Sequence, residues 1–147
     1  MASFYTKTWK FGRFDFLEEI GLYQEHEISY VNLEDEDGHQ YHYDLLPGFR
    51  TDGGSVPKAF QWLIKGWYPD ASWKSCLTNL AFAIHDANYG CTYVSRKIAD
   101  DMLRSMLRDA GWNRFTASTV CWAVNTFACL HYGDDDLENR DFIRFHT

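Results

Sequence analysis

The segment Pro47-Gly48-Phe49-Arg50-Thr51-Asp52-Gly53-Gly54-Ser55-Val56-Pro57 constrains this chain more than any other. Proline removes a backbone donor and fixes φ, and glycine opens positive φ, so the segment is expected to be a loop that punctuates the chain between two halves. The chain on its two sides is of opposite character. Before it, residues 3–9, 14–19, 22–31 and 39–46 are rich in aromatic and β-branched side chains, with period-two alternation clearest at Phe14/Phe16, Ile28/Tyr30 and Tyr41/Tyr43/Leu45. Asp37-Gly38 between the last two runs is a hairpin signal.

After it, the apolar period changes to that of helices, which are expected over roughly 72–90, 95–110 and 114–132. On the first, Trp73, Cys76, Leu77, Leu80, Ala83, Ile84 and Ala87 form one stripe. The second is capped by Ser95, carries Ile98, Ala99, Met102, Leu103, Met106, Leu107 and Ala110 on one face and stops at Gly111. Asp101 is expected to point away from that stripe. The third is apolar nearly all round, which predicts a central, buried helix. A shorter helix capped by Ser55 is expected to run to about Lys65, with Pro57 in its first turn.

The expected architecture is therefore α+β: an N-terminal antiparallel β-meander packed on a C-terminal bundle of three to four helices. At 147 residues the chain suits one domain, read as a meander over 1–46, a Gly-rich loop over 47–57, a helical bundle over 58–132 and an acidic, solvated tail over 133–147.

Charge narrows the partners. The formal net charge is −7, and residues 14–49 hold ten carboxylates with neither lysine nor arginine. Such a lobe repels a phosphate backbone, so no nucleic-acid partner is expected. The longest largely apolar stretch, Thr119 to Leu130, is too short to span a bilayer, so no transmembrane segment is expected. The N-terminus lacks an apolar h-region, so no secretion signal is expected. With no CxxC among Cys76, Cys91, Cys121 and Cys129, reduced thiols in a cytosolic protein are the expectation.

The chemistry concentrates in His85-Asp86-x-x-Tyr89 on the first long helix and Asp100 on the next. His85 and Tyr89 are i, i+4 neighbours, so imidazole and phenol lie over one another, and His85 and Asp86 are both expected off the core stripe. If the two helices pack antiparallel, Asp100 can turn inward and hold His85 as a carboxylate holds a general base. Asp86 then remains for a cation, and a hard ion such as Ca²⁺ could complete its shell from carbonyls of the Gly-rich loop. The competing structural readings are a solvated helix pair with Arg96 and Arg104 occupying Asp100 as surface ion pairs, or a buried polar network without catalysis. Ser55 with His85 reads as a helix cap rather than a hydrolase triad. His39 and His42 with Asp37 or Asp44 read as solvated hairpin residues, and His131 as a hydrogen-bonded core residue.

Gly48-Phe49-Arg50-Thr51-Asp52-Gly53-Gly54-Ser55-Val56-Pro57, Ala83-Ile84-His85-Asp86-x-x-Tyr89, Ser95-Arg96 and Ala99-Asp100 together resemble the signature of a phage and prophage family of unknown function, family 1353. That resemblance implies a viral or prophage origin, and with it a place in the host cytoplasm or the virion. His-Asp-x-x-Tyr followed by a helix with a partner Asp, downstream of a Gly-rich loop, is also similar to the phospholipase A2 arrangement. This second resemblance implies that His85 activates water, Asp100 orients His85, Asp86 binds Ca²⁺, and the Asp52-Gly53-Gly54-Ser55 loop supplies carbonyl ligands and an oxyanion N–H. The glycine spacing and the cysteine positions depart from it. Three functions stay open: a phage hydrolase, a non-catalytic head or tail component working with other phage structural proteins, and an early protein that binds a host protein.

Overall fold

The computed structural model of the protein describes residues 2–53, 56, 58–128 and 137–147. Gly54, Ser55, Pro57, Cys129, His131, Gly133 and the run Asp134-Asp135-Asp136, together with the expected end of the third helix at 132, lie outside the described residues. The fold is α+β, with antiparallel strands followed by helices. Strands β1 (Phe4–Lys10), β4 (Ser29–Asp35), β5 (Gln40–Leu45) and β7 (Ile143–His146) form one sheet in the order β1-β4-β5-β7. Strands β2 (Arg13–Leu17), β3 (Leu22–Glu27) and β6 (Arg50–Thr51) form a second, in the order β2-β3-β6.

Two corrections to the expected meander follow. The apolar run 22–31 is not one strand: it breaks at Ile28, and the chain leaves one sheet for the other there. Residues 11–12 make the same change between β1 and β2, and the two crossings nest, since the Gly12 amide donates to Ser29 Oγ at 2.8 Å. Any Cβ at Gly12 would sit on the carbonyl oxygens of Glu27 and Ile28. Second, the chain end is not all solvated tail, because Ile143–His146 pairs with β5 and buries Ile143. A strand of four residues with two charged or imidazole side chains carries too little alternation to be read from sequence.

Three helices follow the strands: α1 (Trp73–Cys91), α2 (Arg96–Asp109) and α3 (Arg114–Ala128), with a short α4 (Leu137–Arg140) before β7. Each start is fixed by a side-chain acceptor, as capping requires. Ser72 accepts from the Ser75 amide at 3.3 Å, Ser95 from Ile98 at 3.2 Å and Asn113 from Thr116 at 2.7 Å. Of the helix expected from Ser55 to Lys65, the described residues hold a 3₁₀ turn, Lys58–Phe60, and no α-helix.

The central helix is α1, not α3. Leu77, Thr78, Leu80, Ala81, Phe82, Ala83 and Ile84 are all buried, so α1 is enclosed nearly all round. On α3, by contrast, Phe115 and Trp122 are 65% and 60% exposed. Trp73, placed in the α1 stripe by periodicity, is also exposed. Alternation on β4 and β5 turns Val31, Leu33, Tyr43 and Leu45 toward the helices. The Tyr43 hydroxyl donates to Asn88 Oδ1 at 2.7 Å, which joins the sheet to α1.

Candidate functional site

Because α1 is central, the flank carrying His85 is inside the protein rather than beside it. His85 is 5% exposed, which corrects the expectation that it stands off the core; Asp86, next in sequence, is half-buried. Helix α2 packs against α1 across the turn 92–95 and brings Asp100, also buried, opposite His85. His85 Nε2 lies 2.8 Å from Asp100 Oδ1. The Tyr89 hydroxyl donates to that same oxygen at 2.7 Å, and it lies 3.3 Å from Asn125 Oδ1 of α3. The two rings overlap as i, i+4 neighbours, with centroids 4.2 Å apart.

Asp100 is thus an internal partner, and the surface pairing with Arg96 or Arg104 is not what holds its carboxylate. A carboxylate has no hydrogen to give, so the Nε2 nitrogen carries the proton of this contact and Nδ1 is left with the basic lone pair. Burial, and then the hydrogen bond to Asp100, raise the Tyr89 phenol well above its ordinary range, so it stays a donor at any working pH. Helix α3 closes the cluster with the Cys121 thiol, which donates to the Asp100 carbonyl at 3.2 Å. Burial, followed by the nearby Asp100 charge, pushes that thiol up to about 12, so it is not a nucleophile near neutrality.

The expected loop residues are only partly accounted for. Asp52 is exposed and Gly53 is buried, with φ +80°. A Cβ at Gly53 would come within 3.1 Å of the Tyr23 ring and 3.2 Å of Trp67. Positive φ and that close approach both require glycine. The loop is anchored through β6, where Thr51 pairs with Tyr23 and the Gly53 amide donates to Thr51 Oγ1 at 3.1 Å, and β6 lies against α1. Gly54 and Ser55 lie outside the described residues. The structure therefore brings His85, Asp100 and Tyr89 together, carries Asp86 next to His85 in the sequence of α1, and places Asp52 and Gly53 just after β6, the strand that lies against the same helix.

For a cation, Asp86 and the carbonyl oxygens of the loop are hard donors of the kind calcium takes. Among the described residues, Asp35, Asp37 and His39 in the β4–β5 turn gather as a three-side-chain cluster, and Asp86 belongs to none. A calcium shell at Asp86 would draw on backbone and water oxygens. His42, expected to be solvated, instead lies half-buried between Asn32 Oδ1 and Asp44 Oδ1, and its ring stacks on His146 at 4.6 Å.

Sequence reasoning missed Asn125 and Cys121 as members of the cluster. The polar Asn125 interrupts the apolar run of α3, and that interruption was the available signal. It also set Asp101 on the wrong side: Asp101 is buried because the N-terminal segment packs there, with the Ala2 amide 3.2 Å from its Oδ2.

Fold and site define a small α+β protein with a buried His-Asp-Tyr cluster between two antiparallel helices. A family model described as "Protein of unknown function (DUF1353)" matches residues 29–124, and the chain belongs to that family. Comparison with curated proteins and with solved structures returned no match. Among the described residues no helix is long and apolar enough to cross a membrane.

Proposed function

We propose that this protein is a phage-encoded hydrolase of carboxylic esters, similar in arrangement to phospholipase A2, acting in the host cytoplasm or from the virion. One observation carries the reading: a single Asp100 oxygen takes both the Nε2 hydrogen of His85 and the hydroxyl of Tyr89. That contact orients the imidazole, fixes its tautomer and stabilises the imidazolium that forms when Nδ1 takes a proton. In the reaction, His85 Nδ1 removes a proton from water as the water oxygen attacks the ester carbonyl. The same proton then passes to the departing alkoxide as the acyl–oxygen bond breaks, leaving acid and alcohol. Calcium, when bound by Asp86 and loop carbonyls, would polarise the ester carbonyl.

The test is fatty-acid release from phosphatidylglycerol vesicles, with calcium or with chelator, by wild type and His85→Ala. Release by the wild type and a fall of at least about 100-fold in the variant support the reading. Wild type that releases no more acid than the variant overturns it.

The depth of His85 supports a second reading, in which the cluster is a polar network that pins three helices of a virion or assembly component. Under that reading His85→Ala lowers the melting point and alters no rate.

A further inference from the structure

Asp100 also lines a cavity of about 500 Å³ between α2 and α3. Three cations stand in its wall, Arg96, Lys97 and Arg104, against two carboxylates, Asp100 and Asp101. Both carboxylates are already committed within the protein. Asp100 takes His85 and Tyr89, and Asp101 takes the Ala2 amide at 3.2 Å and Lys97 Nζ at 3.0 Å. The cations are less well matched. Arg104 gives Nη2 to the Ala2 carbonyl at 3.1 Å and lies 4.0 Å from Asp101 Oδ1, while its Nε is enclosed with no acceptor among the described residues. Arg96 lies exposed at the rim. The wall therefore carries three cations against two carboxylates; Lys97 and Arg104 share Asp101, and Arg96 at the rim has no carboxylate partner among the described residues, a positive charge that an anion would match.

The other wall is of a different kind. Trp122, 60% exposed and edge-on to Phe60 at 6.0 Å, lines the cavity, with Ser118 one helical turn before it. A bare phosphate would fill only part of this volume.

We infer that the α2–α3 cavity binds a phosphate monoester, its phosphate held between Arg96 and Arg104 with Ser118 as a neutral donor, its organic part lying on Trp122. Guanidinium forks match the oxygens of a phosphate dianion, and the flat indole accepts a planar or apolar group. This site goes beyond the hydrolase reading and does not rest on it. Asn125 lines the cavity too and lies 3.3 Å from the Tyr89 hydroxyl, so an occupant would meet a residue of the His85 cluster.

The experiment is calorimetric titration of the full chain with AMP, glycerol 3-phosphate and inorganic phosphate, beside cosedimentation with vesicles of phosphatidic acid or phosphatidylcholine. Arg96→Ala, at an exposed position, is expected to weaken ester binding about tenfold, and Trp122→Ala to weaken AMP more than inorganic phosphate. Arg104→Lys, which keeps the charge but loses the fork, is expected to weaken every phosphate probe. Binding of the soluble esters assigns the site to a free metabolite. Binding only to phosphatidic acid vesicles, lost in Arg96→Ala, assigns it to a lipid headgroup. Absence of binding to all probes, or binding unchanged by Arg96→Ala and Trp122→Ala, overturns the inference.

Discussion

Tyr89 gives its phenolic hydrogen to Asp100 at 2.7 Å, on the oxygen that also faces His85. The phenol and the imidazole therefore share one acceptor. Tyr89→Phe keeps the ring overlap with His85 and removes one of the two donors. The expected result is a rate of ester hydrolysis lower by about tenfold, as one lost charge-assisted hydrogen bond implies, with the melting midpoint moved by only a few degrees. Steady-state rates and a thermal melt of the same sample check it. A network that served structure alone would move the melt and leave no rate to change.

Glu25 makes the pH dependence of stability unusual. It is 1% exposed at the nested crossings of the two sheets, accepts from Ser29 Oγ at 2.8 Å through Oε1, and has no partner for Oε2 among the described residues. Burial first, opposed by the Ser29 hydrogen bond and helped by the Glu27 charge, raises its pKa from 4.5 to about 9. Across that window the folded chain keeps a proton that the unfolded chain has lost, so stability falls as pH rises, by on the order of 1 kcal/mol per pH unit at most. Below the window both states are protonated and the penalty vanishes. Glu25→Gln, which mimics the neutral acid, is expected to melt higher than wild type at pH 8 and at the same temperature near pH 4. Thermal melts across pH decide this, and equal melting of the two proteins at pH 8 would contradict it.

Gly48 holds φ at +107°, and a Cβ there would come within 2.6–2.9 Å of the Phe142 ring. Gly48→Ala is therefore strained in its backbone and crowded against the residue that leads into β7. A loss of about 2 kcal/mol or more is expected, read from denaturant unfolding. Hydrogen exchange should show the Ile143–His146 strand losing protection first.

The Tyr43–Asn88 hydrogen bond is the buried polar tie between sheet and central helix. Tyr43→Phe leaves Asn88 Oδ1 without its donor and should cost about 1–3 kcal/mol in chemical unfolding. An unchanged midpoint would show that the amide finds another partner.

Much of this fold was legible because its signals are local. Capping serines, the stripe on α2 and the punctuation at Pro47–Pro57 each depend on a few neighbouring residues. The pairing of His85 with Asp100 was legible for the same reason, since two adjacent antiparallel helices fix which faces meet. What stayed hidden depends on distant contacts. The exchange of sheets at Ile28 is decided by Gly12, and the strand Ile143–His146 exists because β5 has a free edge. Likewise Trp73 and Trp122 looked like core by type and period, but α1 rather than α3 took the centre, and both were left outside.

Asp100 is held to fix His85 with its hydrogen on Nε2, leaving Nδ1 basic. Nitrogen-detected NMR of the His85 ring at neutral pH, in wild type and Asp100→Asn, measures this directly. The expected spectrum at neutral pH has hydrogen on Nε2 and none on Nδ1 in the wild type, and a mixed or reversed assignment in the variant. A His85 that carries its neutral-pH hydrogen on Nδ1, or one whose spectrum ignores Asp100→Asn, would contradict it.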